Sequence, residues 1–132
     1  MTPEQQMVRT FMTEVKGLAL PGVPTVPNQD MANLCHALIL EESTETMNAL
    51  VFSDRDLVEI ADGLADLLYV TLYAANACGL DLEPIFAEVH RSNLTKKGGE
   101  KRADGKALKP PWYEPPNLEP ILRAQGGGLT RG

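Results

Sequence analysis

Apolar residues recur along this chain every three or four positions, which is the spacing of helices and not the two-residue alternation of strands. The spacing predicts four main helices, at about residues 3–18, 28–50, 54–77 and 81–93, and a short helix at residues 118–124. The expected fold class is therefore all-α, an antiparallel bundle of four main helices with an irregular C-terminal arm.

Residues that favour helix ends support these boundaries. The candidate N-caps are Thr2 for the first helix, Asn28 or Asp30 for the second, Ser53 for the third and Asp81 for the fourth. Pro3 suits the first helical position. With Ser53 as the cap, Asp56 lies in the first turn of the third helix, which ends before Gly79.

The apolar stripes predict which side chains are buried. They contain Met7, Val8, Phe11, Met12 and Val15 in the first helix and Ile85, Phe86 and Val89 in the fourth. The third helix is mostly apolar from Leu57 to Tyr73 and should be buried. Much apolar surface would still remain on Leu64, Leu67, Leu68 and Val70. We therefore expect the bundle to complete its core as a homodimer or a tetramer of two dimers.

Two neighbouring helices carry carboxylates at helical spacing. They are Glu41, Glu42 and Glu45 on the second helix and Glu59, Asp62 and Asp66 on the third. If the hairpin turns at Phe52, residues equally far from Phe52 lie at equal heights. Glu45 would then face Glu59, and Glu42 would face Asp62, so four carboxylates would form a cage.

Four converging carboxylates repel one another unless a cation neutralises them. Mg²⁺ and Mn²⁺ prefer such oxygen ligands. A solvated acidic face is the alternative, but Asp62 and Asp66 interrupt an apolar stretch that supplies no Lys or Arg to pair with them. The sequence therefore favours a metal site at this cage.

Charge and composition exclude several classes of protein. The net charge of −6 combines −11 in residues 1–90, where three Lys or Arg face fourteen Asp or Glu, with +5 in residues 91–132, where nine face four. An acidic body with a basic arm suits a small anionic ligand better than nucleic acid. No apolar run is long enough for a membrane span, and no secretory leader is visible. The two cysteines, Cys35 and Cys78, are expected to be reduced.

We expect one domain, residues 1–124, which includes the Lys-, Gly- and Pro-rich arm at residues 94–116. Residues 125–132 are expected to form a flexible tail. In the arm, Trp112 and Tyr113 are expected to anchor it to the body in preference to stacking on a base.

The motif Glu41-Glu42-x-x-Glu45, followed after thirteen residues by Glu59-x-x-Asp62, resembles the paired signature of MazG-like all-α nucleoside triphosphate pyrophosphohydrolases. The stretch DGLADLLYVTLYAANACGLDLEPIFAEVHRSNLTKKGG is similar to their phosphoribosyl-ATP pyrophosphohydrolase-like branch, which occurs in bacteria and phages. The resemblance implies a cytoplasmic enzyme, of a bacterium or of a phage-infected host cell.

The resemblance also implies roles for single residues. Glu42, Glu45, Glu59 and Asp62 match the family's metal ligands, which hold two or three Mg²⁺ or Mn²⁺ ions. Glu41 matches an extra acid that could orient or deprotonate the attacking water. The role of Asp66 is left open: it could bind a metal ion directly, or it could hydrogen-bond to a residue that does. The substrate-binding candidates are Asn93, Lys96 and Lys97, with Lys106 and Lys109 as further candidates for phosphate contacts or as an ordinary solvated loop.

The implied reaction is hydrolysis of a nucleoside triphosphate between its α and β phosphates, on a purine deoxynucleotide or dUTP. Two alternatives remain: a non-catalytic regulator that binds nucleotide or metal on the same scaffold, and a helical interaction module. A non-catalytic regulator would be expected to have lost at least one of the four metal-binding acids. In this chain all four are present.

Overall fold

A computed structural model describes residues 1–52 and 56–128 of the chain. This described part contains helices and no strand: α1 (Pro3–Thr10), α2 (Gln29–Val51), α3 (Leu57–Ala77), α4 (Leu82–Leu94) and α5 (Glu119–Ala124). None of these helices is both long and apolar enough to cross a membrane. The expected all-α class is confirmed.

Side-chain caps start the four longer helices. Thr2, Asn28 and Asp81 each accept a hydrogen bond from a backbone N–H of the first turn, as predicted. For α3 the expected start was wrong. Asp56 is the cap itself and accepts from the N–H of Val58 at 3.0 Å, so it does not lie in the first turn. Ser53 lies outside the described residues.

The first helix is shorter than the spacing predicts, because Phe11–Val15 form a π-helical turn at its end. The extra residue in that turn rotates the chain relative to the apolar stripe. Val8 and Met12 are buried as expected. Val15, within the turn, was expected inside and is instead 68% exposed. Met7, which precedes the turn, was also expected inside and is 65% exposed, and the turn does not explain it.

The core lies between α1 with its π-helical turn, α2 and α3. Its buried apolar members are Val8, Met12, Cys35, Leu72, Tyr73 and Ala77. Beside it a buried amide pair joins α1 to α3, since Gln5 donates to Asn76 Oδ1 at 3.0 Å and Asn76 donates back to the Gln5 carbonyl at 3.3 Å. Gln5 also accepts from the N–H of Leu82, which fixes the first turn of α4. Both cysteines are unpaired thiols, as predicted.

The fourth helix does not complete the expected bundle. Close helix packing joins α3 to α1 and to α2, whereas α4 contacts the other helices only weakly. Its first turn is attached to the body, but Phe86, expected on the inner face, is 74% exposed. Leu64 and Leu68 of α3 are each 51% exposed. An antiparallel four-helix bundle is therefore not confirmed for the single chain. The exposure of Leu64 and Leu68 agrees with the apolar surface expected to remain on α3, whereas Val70, expected with them, is buried.

The second half of α4 instead carries the C-terminal arm. Buried Ser92 donates to the carbonyl of Glu114 at 2.6 Å and lies 3.2 Å from the Tyr113 hydroxyl. Trp112 Nε1 donates to the carbonyl of Lys97 at 3.1 Å. Tyr113 therefore anchors the arm to α4, as predicted for an anchoring role. Trp112 bonds instead to Lys97, a residue of the arm itself, so its predicted attachment to the body is not confirmed.

Part of the expected flexible tail is also attached. Gln125 accepts from the N–H of Asp81 at 2.9 Å and donates to the Asp81 carbonyl at 3.0 Å. Gly127 donates its N–H to the carbonyl of Leu122. Gln125 and Gly127 therefore make defined hydrogen bonds to the described chain, residues 129–132 lie outside the described part, and the flexible tail stays a prediction.

Glu88 makes the attachment of the arm sensitive to acid. Its carboxylate accepts from the Arg91 guanidinium at 2.8 Å and from the N–H of Asn117 at 3.1 Å. These bonds, chiefly the one from Arg91, lower the Glu88 pKa from 4.5 to about 2. A carboxyl group whose pKa is lowered by folding stabilises the fold above its unfolded pKa and loses that effect as the pH falls.

We therefore expect the arm to loosen between pH 4.5 and about pH 2. Trp112 is the only tryptophan, so its fluorescence reports the change. In the Glu88→Gln variant this part of the titration should disappear. Identical curves for the two proteins would contradict the assigned role of Glu88.

Candidate functional site

The acidic helices α2 and α3 touch most closely where Thr46 meets Gly63. The Thr46 hydroxyl donates to the Gly63 carbonyl at 2.8 Å and lies 2.6 Å from the carbonyl of Glu42 in its own helix. A methyl group on Gly63 would lie 3.0 Å from the Thr46 hydroxyl and 3.2 Å from its Cα. Glycine is therefore what allows the helices to approach closely at this level.

This contact corrects the predicted register of the hairpin. A turn centred on Phe52 would place Thr46 opposite Val58, but Thr46 lies against Gly63. The connection is centred later, because α2 ends at Val51 and α3 begins only at Leu57. Glu42 does not therefore lie level with Asp62, as the cage required.

Three of the predicted ligands do line one cavity. Glu45 of α2 and Glu59 and Asp62 of α3 border a space of about 520 Å³ that opens to solvent. Its remaining lining residues are Asn48, Ala49, Phe52 and Gly63. This cavity, which we call the acid cavity, contains three carboxylates and no cationic side chain among the described residues that line it.

Glu42 lies in a neighbouring cavity with Asp66, the acid whose role the sequence left open. This second space, of about 300 Å³, has mostly apolar and aromatic walls and is called the aromatic cavity here. The Phe11 and Tyr69 rings meet edge to face across 5.8 Å, and Lys16 lies at its border. The other lining residues are Leu34, Leu38, Val70 and Tyr73.

The described His, Cys, Asp and Glu side chains form no group of three or more that could hold a metal ion. The predicted four-carboxylate cage is therefore not formed in the structure. The physical reason is the register, which separates Glu42 from Asp62. The acids nevertheless share one region of the hairpin.

Glu42 is the group that fits a cation best. Its Oε2 atom is buried and has no hydrogen-bond partner. Burial raises the Glu42 pKa, and the nearby carboxylates of Glu45, Asp66 and Glu41 raise it further. A buried carboxylate oxygen without a donor is costly, and a hard divalent cation would remove that cost.

The raised pKa predicts how Glu42 affects stability without metal. A carboxyl group whose pKa is raised by folding destabilises the fold above its unfolded pKa. The Glu42→Gln variant should therefore melt at a higher temperature than the original protein in EDTA at neutral pH. Glu14, an exposed acid of the π-helical turn, provides the control Glu14→Gln. A lower melting temperature for Glu42→Gln would contradict the destabilising effect assigned to the ionised Glu42 carboxylate.

The remaining predicted site residues lie elsewhere. Glu41 is exposed and lines neither cavity, although its charge acts on Glu42. Asn93, Lys96 and Lys97 lie at the end of α4 and on the residues that follow it, where Lys96 Nζ donates to Asn93 Oδ1 at 3.1 Å. The described part of one chain does not bring these three residues into either acidic cavity.

Two features of the site were missed from the sequence. Lys16 ends the π-helical turn and borders the aromatic cavity, and no side-chain pattern indicates that turn. The Thr46–Gly63 contact could have been suspected, because a glycine within a long helix is unfavourable unless something packs closely against it.

A comparison with protein families matches residues 9–93 to the model of phosphoribosyl-ATP pyrophosphohydrolase. The chain belongs to this family. It thereby belongs to the MazG-like all-α nucleoside triphosphate pyrophosphohydrolase superfamily, as the acidic motif indicated. A comparison with curated proteins finds no match.

Membership of the phosphoribosyl-ATP pyrophosphohydrolase family implies nucleotide pyrophosphohydrolase activity. The matched range contains both acidic helices and ends at Asn93. The arm, which includes Lys96 and Lys97, therefore lies outside the residues that match the family model.

Proposed function

We propose that the protein hydrolyses a nucleoside triphosphate between its α and β phosphates, giving a monophosphate and pyrophosphate. The observation that carries this proposal is the set of acids on α2 and α3, with the buried, unpartnered oxygen of Glu42 among them. A triphosphate carries several negative charges and is repelled by carboxylates. These acids can therefore bind it only through cations that lie between the carboxylates and the phosphates.

The residues that would hold Mg²⁺ or Mn²⁺ are Glu45, Glu59 and Asp62 around the acid cavity and Glu42 beside it. Bound there, such ions would lower the pKa of a water molecule and offset the charge that develops on the phosphates. Asp66 borders the same cavity as Glu42 and would orient or share a ligand on that side.

We propose Glu41 as the group that accepts the proton, the role that the family resemblance implies for it. It is solvent-exposed, and its charge acts on Glu42. The water oxygen forms a bond to the α-phosphorus while the bond from that phosphorus to the bridging oxygen breaks. Pyrophosphate leaves with the electron pair, and Glu41 accepts the proton that the water loses.

The aromatic cavity offers a place for the base. Its volume of about 300 Å³ suits a single ring system better than a whole nucleotide. The Phe11 and Tyr69 rings form its walls, and Lys16 at its border would face the phosphates. A base seated there would place its phosphates next to Glu42 and the acid cavity.

The expected result of the decisive assay is pyrophosphate release that depends on divalent metal. A panel of ribo- and deoxynucleoside triphosphates should be incubated with the EDTA-treated protein, before and after Mg²⁺ or Mn²⁺ is restored. In ¹⁸O-labelled water the label should appear in the monophosphate, because water attacks the α-phosphorus.

Undiminished activity in EDTA would contradict the metal site. Orthophosphate as the first product would exclude this class of reaction. Nucleotide binding without turnover of any member of the panel would favour a regulatory module on the same scaffold.

A further inference from the structure

Two buried side-chain oxygens of the described residues have no hydrogen-bond partner, and both belong to residues that line the aromatic cavity. They are Oε2 of Glu42 and the hydroxyl of Tyr73. The Glu42 oxygen suits a cation, but a neutral hydroxyl does not. A buried hydroxyl without a hydrogen bond destabilises the folded protein, and it stays available to a ligand.

The Tyr73 hydroxyl is held by a rigid part of the fold. Tyr73 is 4% exposed, and among the described residues it is the one member of the buried core cluster that also lines the aromatic cavity. Burial raises the pKa of the Tyr73 hydroxyl, so the group is neutral at physiological pH. A neutral hydroxyl can both donate and accept a hydrogen bond.

The aromatic cavity has an acidic end and a neutral end. In the register of the hairpin, Glu42 lies about level with Asp66, and Cys35 about level with Tyr73. The electrostatic effects agree, since Asp66 acts on the pKa of Glu42 and Cys35 acts on that of Tyr73. Asp66 and Tyr73 are seven residues apart on one face of α3, which is two turns, or about 10 Å along the helix axis.

The walls between the two ends are apolar or aromatic. They are formed by Phe11, Leu34, Leu38, Tyr69 and Val70. A ligand that matches the whole cavity is anionic at one end, flat and apolar on its faces, and polar at its far edge. A nucleotide has its groups in this order, because its phosphates would meet the acids through cations and its base would lie between the walls. A polyphosphate without a base matches the acidic end alone.

We propose that the Tyr73 hydroxyl hydrogen-bonds the edge of the base that lies farthest from the sugar. Tyr73 thereby distinguishes a nucleotide from a phosphate compound that has no base. Because a hydroxyl can donate to a carbonyl oxygen and accept from an amino group, Tyr73 recognises a polar edge and does not choose between bases. This proposal rests on the proposed function, because it names a residue that recognises the base placed in that cavity.

The variant Tyr73→Phe removes the hydroxyl and keeps the ring. Its KM for nucleoside triphosphates should rise about 10-fold, because the polar edge of the base would be buried without a partner. Its kcat should change little, since a contact made equally in the ground state and the transition state affects KM alone. Its melting temperature without nucleotide should not fall, because phenylalanine buries no unbonded hydroxyl.

Calorimetric titration in Mg²⁺ gives a measurement that does not need turnover. The Kd of nucleoside monophosphates should rise about 10-fold in Tyr73→Phe. The Kd of inorganic triphosphate, which has no base, should be the same for both proteins. Tyr113→Phe is the matched control, since it also removes one hydroxyl, but that hydroxyl is bonded to Ser92 and Tyr113 lines neither cavity. This control should lose some stability and keep its affinity for nucleotides.

The remaining outcomes overturn the inference. Equal affinity of Tyr73→Phe and wild type for every monophosphate would show that the hydroxyl does not meet the base. A lower melting temperature of Tyr73→Phe would show that the hydroxyl stabilises the free protein. Equal weakening for inorganic triphosphate would show that the substitution displaces the acidic end. Wild-type protein that binds nucleotides without turning any over would instead be a failure of the proposed function, and its Kd values would still test Tyr73.

Discussion

Replacing Glu45 by Gln, or Asp62 by Asn, is expected to lower turnover at least ~10²-fold, the size usual for the loss of a group that stabilises charge in a transition state. Each substitution removes one ligand charge and keeps the volume of the side chain. Because both residues border the acid cavity, neither change should disturb the core. Helicity should therefore be unchanged.

Glu14→Gln is again the matched control for charge, since Glu14 is exposed and lines neither cavity. Turnover and metal titrations should be measured together. The variants should need higher concentrations of Mg²⁺ or Mn²⁺, whereas the control should not. If both variants kept more than half of the wild-type rate, the acid cavity would not be the metal site.

The structure adds Asp66 to this comparison. The sequence could not decide its role, because helical spacing shows which acids share a face but not what they meet on the next helix. Asp66 shares a cavity with Glu42. We therefore expect Asp66→Asn to lower turnover, because Asp66 lines the aromatic cavity together with the proposed ligand Glu42.

The local features of the fold could be predicted because they depend on neighbouring residues. Thr2, Asn28 and Asp81 cap helices where their side chains can reach the first turn, and this follows from sequence alone. The positions of the acids within α2 and within α3 could be predicted for the same reason. Spacing within one helix is fixed by its hydrogen bonds and does not depend on the rest of the chain.

The relations between helices could not be predicted in the same way. The hairpin register depends on the length of the connection and on which small residue lets the helices approach, here Gly63. The apolar stripe of α4 indicated a buried face, but a stripe does not tell whether its cover comes from the same chain. Phe86 is 74% exposed, so within the described residues the apolar stripe of α4 is not covered there.

Gly63→Val should harm both stability and turnover, because it forces apart the two helices that hold the acids. Even a single methyl group on Gly63 would lie 3.2 Å from the Thr46 Cα, which cannot move without its helix. Overpacking of this kind costs about 1–3 kcal/mol of unfolding free energy. Helix propensity does not oppose the change, because glycine is the poorer helix former. A lower free energy of unfolding for Gly63→Val would therefore reflect overpacking against Thr46.

The effect on turnover should exceed what lower stability alone would cause. Glu45 and Asp62 lie next to Thr46 and Gly63 in sequence, so a small displacement of the helices moves these ligands, and a shift of about 1 Å can cost on the order of 10²-fold in rate. Gly63→Ala should show the same losses in smaller measure. Gly22→Ala is the matched control, since a methyl group there meets nothing within 4 Å.

Thermal unfolding and turnover below the melting temperature separate the two effects. The double variant Thr46→Ala/Gly63→Ala should recover part of the activity, because it removes the hydroxyl that lies 3.0 Å from the added methyl group. If Gly63→Val unfolded and turned over substrate like the Gly22→Ala control, the close approach at Thr46 would not set the register. The acids of α2 and α3 would then be positioned by some other contact.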